Sequence, residues 1–306
     1  MRIFSVFLFL LSAVLVAEES KPAPALTEEQ KQILEKVQAL KYETGKVAIG
    51  DGLAVLDLNE HFKFLNAKDT SFVLEKLWGN PPSSDMLGMI VPAEFHPLIS
   101  DSWFVILHFE SSGYVRDNDA NTIKYDDLLK DMQKATLDAN AERIKQGYEA
   151  VQLIGWATPP SYDNQRKILY WAKEVRFGDA KENTLNFNIR VLGRKGVLNM
   201  NAVAGMHSLP DIQSHLSELV GLAQYNEGHR YQDFNEKSDL VAEYGLAALV
   251  AGGVLAKTGL LKAIFVGILA MKKFIIIGLC ALGSFLYKLS QAGGKIPRTR
   301  QPDFLR

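Results

Sequence analysis

The 306-residue sequence holds a single cysteine, Cys280, set in an apolar stretch near the C-terminus. Disulfide, thiol-redox and cysteine–zinc chemistry are thereby excluded for the rest of the chain. A chain of this length builds a core without disulfide staples. Charge of one sign is also missing: 34 basic against 35 acidic residues give a net charge of −1, so no basic field calls for nucleic acid. None of the six histidines (His61, His96, His108, His207, His215, His229) has a partner at i, i+4, and no HExxH or G-x-S-x-G occurs. The sequence therefore nominates no catalytic, cofactor-binding or metal-ligating residue, and the expectation is a protein without a cofactor.

The ends differ from the middle. Residues 1–17, MRIFSVFLFLLSAVLVA, place Arg2 before a short apolar run and small residues, the pattern of a secretory signal peptide. An uncleaved anchor is the competing reading, although the run is short for a span. Residues 18–26 form a Pro-rich linker, and Thr27 with Gln30 makes a capping box for a helix that carries the linker region to residue 44. From Leu240 to Leu289 the chain is apolar with sparse charge, and residues 290–306 are basic. A soluble helix is seldom apolar all round for so long, so 240–289 is expected to be a membrane anchor. Leu240–Leu261 and Ala263–Tyr287 make two candidate spans, but Lys272 and Lys273 sit inside the second; one span followed by an interfacial helix stays open. Gly245, Ala248, Gly252 and Ala256 fall on one face if this segment is helical, and small residues let helices approach closely in lipid. The partners that follow are the bilayer and, through that face, a second copy or another envelope protein.

Residues 45–239 read as an exported α+β domain with a mainly antiparallel sheet and packed helices. KVAIGDGLAVLDL gives two short strands about Gly50-Asp51-Gly52. Asp69–Leu77 reads as a short helix, and WFVILHFE (Trp103–Glu110) as a strand. Tyr125–Tyr148 reads as a helix with Leu128, Met132, Ala135 and Ala139 inward. Strands follow at 150–157, 168–177, 184–192 and 196–206, then an amphipathic helix from Leu209 to Gln224.

Six stretches carry a family resemblance: LWGNPP (Leu77–Pro82), GWATPPSYD (Gly155–Asp163), LYWAKEVRFG (Leu169–Gly178), LNFNIRVLGRKGVLNMNAVAGM (Leu185–Met206), YNEGHRYQDFN (Tyr225–Asn235) and the apolar tail. In this order and spacing the chain resembles bacterial membrane-anchored proteins of the domain of unknown function 2167 family, over nearly the whole mature length. The resemblance implies a domain facing the periplasm or cell exterior, tethered to the bacterial inner membrane by its C-terminal segment. It implies no activity. From Gly196 to Phe234 the pattern is also similar to the end of PsbP-like α+β domains, a likeness of fold that supplies no function.

Two stretches invite a functional reading. WATPPSYDNQRKILYWAKEV (Trp156–Val175) alternates with period two on both sides of a Pro-rich insert, the pattern of a hairpin whose turn is stiffened by Pro159-Pro160. Its tryptophans are expected to bury area as sheet contacts. The alternative is a peptide- or glycan-binding surface made of Trp156, Tyr162, Asp163, Tyr170 and Trp171. Asp117, Asp119 and Asn121 sit at positions one, three and five of a calcium-loop pattern. Thr122 replaces the required glycine and Leu128 the bidentate glutamate, so a solvated turn before a helix is expected. The function expected is binding or scaffolding at the cell envelope, with a hydrolase-like envelope enzyme as the alternative.

Overall fold

The computed structural model describes residues 27–80, 82, 83, 85–98 and 102–252. The expected signal peptide, the Pro-rich linker, Ala256, Cys280 and the basic tail lie outside them. The chain opens with α1 (Glu28–Gln38), β1 (Tyr42–Glu43), β2 (Gly45–Ile49), β3 (Ala54–Leu58) and β4 (Phe62–Asn66). Next come α2 (Ala67–Ser71), which runs on as a π-helical segment Phe72–Leu77, then β5 (Met86–Pro92), β6 (Phe104–Glu110) and β7 (Tyr114–Arg116). The middle is α3 (Tyr125–Lys145), β8 (Val151–Asp163), β9 (Ile168–Phe177), β10 (Thr184–Leu192) and β11 (Val197–Gly205). The end is α4 (Leu209–Ser214), α5 (Leu216–Gly221), β12 (Ala223–Tyr225), β13 (Val241–Gly245) and α6 (Leu246–Ala251).

An antiparallel sheet in the order β1-β4-β5-β6-β11-β10-β9-β8 forms the centre, so the expected α+β class holds. Alternation along its strands splits two faces. Leu185, Phe187 and Ile189 with Leu198, Met200 and Ala202 point to one core, closed by the small sheet β12-β3-β2 and by α4 and α5. On the other face Val151, Leu153, Leu169, Trp171 and Val175 pack with Met132 of α3 and with Leu246, Leu249 and Val250 of α6. A third cluster, Leu65, Val73, Leu74, Met89 and Phe104, joins α2 and its π-helical extension to the β4–β6 region.

Several expectations change in detail. Strand β8 does not stop at Ala157 but runs through Pro159-Pro160 to Asp163. It lies at the sheet edge and is bulged between Trp156, Thr158 and Ser161, where a residue lacking N–H costs no ladder bond. The turn falls later: the Asp163 carboxylate accepts from the amides of Gln165 (2.9 Å) and Arg166 (3.0 Å), and Lys167 takes φ 59°. Helix α3 is present, but its inward face is Met132, Thr136 and Arg143; Ala135 is exposed and Ala139 half-buried. The phase is set by amide side chains. Asn140 exchanges bonds with Val151 (2.7 and 2.9 Å), and Gln133 donates to the carbonyl of Ile154 (3.0 Å), which covers the β8 edge. The helix expected over Leu209–Gln224 breaks at His215, and its last residues enter β12, just before which Leu222 accepts from the Asp57 amide (2.9 Å).

The beginning of the expected anchor behaves unlike a span. Leu240 accepts from the Tyr114 amide (2.8 Å), β13 pairs parallel with β7, and α6 buries Leu246, Leu249 and Val250 in the body. Gly245 ends a strand rather than entering a helix; a Cβ there would meet the Asp119 carboxylate at 2.6 Å. Ala248 lies in α6, and Gly252 follows it at φ 127°. Gly245, Ala248 and Gly252 therefore do not share one helical face, and the body extends past residue 239. Among the described residues no helix is long and apolar enough to cross a membrane.

Candidate functional site

The hairpin β8–β9 sends its notable side chains to opposite faces, because Ser161 pairs with Tyr170 while Tyr162 pairs with Leu169. Trp171 is core, 1% exposed, with the Arg190 guanidinium 5.0 Å from its ring centroid. Trp156 is half-buried beside the α3 cluster. The expectation that the tryptophans bury area in the sheet is met by Trp171 and in part by Trp156. Tyr162 is fixed from below: its hydroxyl donates to Asp117 Oδ2 (2.7 Å).

Asp117 is the hub of that face. Lys167 Nζ donates to Oδ2 at 2.7 Å and the Tyr231 hydroxyl to Oδ1 at 3.1 Å. Burial pushes the Asp117 carboxyl up, but the bonds from Lys167, Tyr162 and Tyr231 and the lysine charge outweigh it and hold it below its usual range. Burial, then the bond to Asp117, drives the Tyr162 hydroxyl up, so the tyrosine stays a donor. Asp119 accepts from the amides of Leu246 and Ala247, both at 3.1 Å, at the start of α6. The Asp-x-Asp-x-Asn stretch thus binds protein groups: it ties the hairpin turn and the C-terminal segment to the loop after β7.

On the other face an open cleft of about 520 Å³ lies between the hairpin tip and the α4–α5 pair. Ser161, Tyr162, Asp163, Arg166 and Tyr170 form one wall, and Gln213, Leu216, Ser217 and Val220 the other. Of the five predicted surface residues, Asp163 and Tyr170 meet here and Tyr162 borders the cleft while its hydroxyl turns to Asp117, whereas Trp156 and Trp171 lie elsewhere. The sequence did not point to Arg166 or the helical wall. Leu216 and Val220 show helical spacing, but nothing local places α5 against a turn some fifty residues earlier. The wall combines an aromatic ring and aliphatic side chains with both signs of charge, a composition suited to non-covalent capture.

A polar belt crosses the opposite face of the sheet. Arg190 donates to the side-chain oxygens of Asn201 (2.8 Å) and Asn188 (3.1 Å), and Asn188 in turn to Asn186 (2.8 Å). Lys173 pairs across the strands with Asn186 and is buried; burial, then the Arg190 charge, lowers its ammonium to about 8. Burial also lowers Arg190.

Comparison with known proteins adds a family and a faint likeness of fold. No curated protein matches the sequence. Among solved structures, the solution structure of cyanobacterial PsbP (CyanoP) from Synechocystis is 9% identical, covering 59% of this chain and 91% of that one, at a TM-score of 0.34. The Ran-binding protein Mog1p of Saccharomyces cerevisiae is also 9% identical, covering 58% of this chain and 84% of that one, at a TM-score of 0.27. The family profile described as "Protein of unknown function (DUF2167)" matches residues 41–283, the greater part of the chain, and the protein belongs to that family.

Proposed function

We propose that the protein is a binding module of the bacterial cell envelope. Its body faces the periplasm or cell exterior, its C-terminal apolar segment holds it to the inner membrane, and the hairpin cleft takes an extended segment of a partner protein. The cleft carries this reading: Tyr170, Leu216 and Val220 offer apolar contact, and Ser161, Asp163, Arg166, Gln213 and Ser217 offer donors and acceptors. Carboxylate and guanidinium in one wall suit a peptide, which presents both signs and both halves of the amide. Strand addition at the neighbouring edge is disfavoured, because β8 carries two prolines and Asn140 and Gln133 occupy its backbone groups. The signal-like start and the apolar tail support the location independently of the cleft.

The test is site-specific photo-crosslinking in intact cells from position 166 or 217, with position 152, exposed on β8, as control. The same adduct from both cleft positions, absent at 152 and lost on Tyr170→Ala, is expected. Identical adducts from all three positions, or none from the cleft, overturn the cleft reading. Protease added to spheroplasts should digest the body while the inner membrane stays intact; full protection of residues 45–230 overturns the location.

A further inference from the structure

The α4–α5 pair has a second side. There His215 and Glu218, three residues apart, meet His61, which the turn between β3 and β4 brings from the other end of the sequence. Each of the three presents a ligand atom within 4.8 Å of the other two. Tautomers follow from the partners. His215 Nδ1 lies 3.0 Å from the carbonyl oxygen of Asp211, which only accepts. Ser214 Oγ spends its own proton on that same carbonyl (2.7 Å) and stands 3.1 Å from Nδ1. Nδ1 of His215 therefore carries the hydrogen, and the Nε2 lone pair is left for a ligand. His61 Nδ1 lies 2.9 Å from Glu218 Oε2, again an acceptor only, so the neutral ring keeps its lone pair on Nε2. Asn59 Nδ2 donates to the same Oε2 at 2.7 Å; among the described residues Glu218 Oε1 has no hydrogen-bond partner.

We infer that His61, His215 and Glu218 form a zinc site that pins the β3–β4 turn to the α4–α5 pair. Two imidazoles and one carboxylate are a donor set for zinc, and they leave a coordination position open to water. The supporting shell is built. Asp211 orients His215 through its carbonyl, with its carboxylate Oδ1 at 3.7 Å, and that carboxylate is itself held by the indole N–H of the buried Trp103 (2.6 Å). The Phe62 and His61 rings stand edge-on to His215, at 5.8 and 5.2 Å. Ligand atoms in a tetrahedral zinc site are about 3.3 Å apart. Closing from the present spacing moves His61 and Glu218, whose side chains are 47% and 32% exposed, and loosens the bond they now share. His215, half-buried and held through Nδ1, keeps its orientation.

Zinc titration of the full-length chain, prepared without a polyhistidine tag, tests this by calorimetry and by the visible spectrum of the cobalt-substituted form. One zinc per chain is expected, with ligand-field bands from imidazole and carboxylate donors. His61→Asn and Glu218→Gln should each weaken zinc binding by roughly tenfold or more, and His229→Asn should leave it unchanged. His61→Cys supplies another zinc ligand and should recover affinity with a thiolate-to-cobalt band, a signature that a merely structural His61–Glu218 ion pair does not produce. Absence of stoichiometric zinc binding, or equal affinity in the parent, His61→Asn and Glu218→Gln, overturns the site. Failure of the cysteine variant to recover affinity lost in His61→Asn overturns it as well.

Discussion

Arg194 grips Asp239 through two bonds, Nε to Oδ2 at 2.7 Å and a terminal nitrogen to Oδ1 at 3.0 Å, and so locks the β10–β11 turn to the segment that leads into β13. The Asn235 amide adds a third bond, to Oδ2 (2.7 Å). Arg194, followed by these further donors, holds the Asp239 carboxyl down at about 2, against 3.8 for the free group. A carboxyl depressed in the folded state stabilises above its unfolded pKa and loses that contribution as pH falls through the folded one. Asp239→Asn should therefore lower the melting temperature at neutral pH. The gap between variant and parent should shrink from about pH 4 downward and close near pH 2; a gap constant from pH 7 to pH 2 would contradict this account.

Asp117 should matter more than its place in a turn suggests. It accepts from Tyr162 and Lys167 of the β8–β9 hairpin and from Tyr231, which lies some sixty residues later. Asp117→Ala leaves the half-buried Tyr162 hydroxyl without its acceptor, while Tyr231 keeps the Val115 carbonyl (2.9 Å) and Lys167 the Asn164 side chain (2.7 Å), a loss of about 2 kcal/mol. Chemical denaturation measures it. If the stretch were instead a calcium loop, millimolar calcium would raise the stability of the parent and not of the variant; equal melting with and without calcium is expected.

The sheet and its alternation were legible in the sequence because period two is local: LNFNIR and LNMNAV already show which residues share a face. The hairpin extent was not. Pro159-Pro160 reads as a turn until β8 is known to be an edge strand whose outward backbone groups are met by Asn140 and Gln133. The α3 phase was misjudged for the same reason, since polar amides rather than alanines face the sheet. The cleft was half legible. Its hairpin wall stands out by aromatic content, but its helical wall, and the approach of His61 to His215, are tertiary and leave no local trace. The apolar run from Leu240 gave no warning that its first residues complete the body, because burial in protein and burial in lipid call for the same side chains.

The buried lysine gives a pH effect of opposite sign to that of Asp239. Lys173 is lowered from 10.5 to about 8 in the folded protein. Between those values the unfolded chain binds more protons, so stability rises with pH across that window. Its share is about 3 kcal/mol. Lys173→Met should remove this rise, leaving a variant more stable than the parent below pH 8 and nearly equal to it at pH 10.5. A parallel pair of stability curves from pH 7 to 10.5 would show that Lys173 stays charged in the fold.

Tyr170 and Trp171 are neighbours on β9 with opposite duties, and substituting each should separate stability from binding. Trp171 points to the α3–α6 face and is 1% exposed, so Trp171→Ala opens a cavity and should cost about 3–5 kcal/mol. Trp171→Phe keeps most of the volume and removes an indole N–H that has no hydrogen-bond partner among the described residues, so it should recover much of that loss. Tyr170 points the other way and lines the cleft, half-exposed. Tyr170→Ala should cost only about 1 kcal/mol, yet abolish the adducts formed at positions 166 and 217. The order is what matters. If Tyr170→Ala unfolds the body as readily as Trp171→Ala, the ring is core and the cleft has lost its anchor. If Tyr170→Ala is stable and the adducts persist, the partner does not use the cleft.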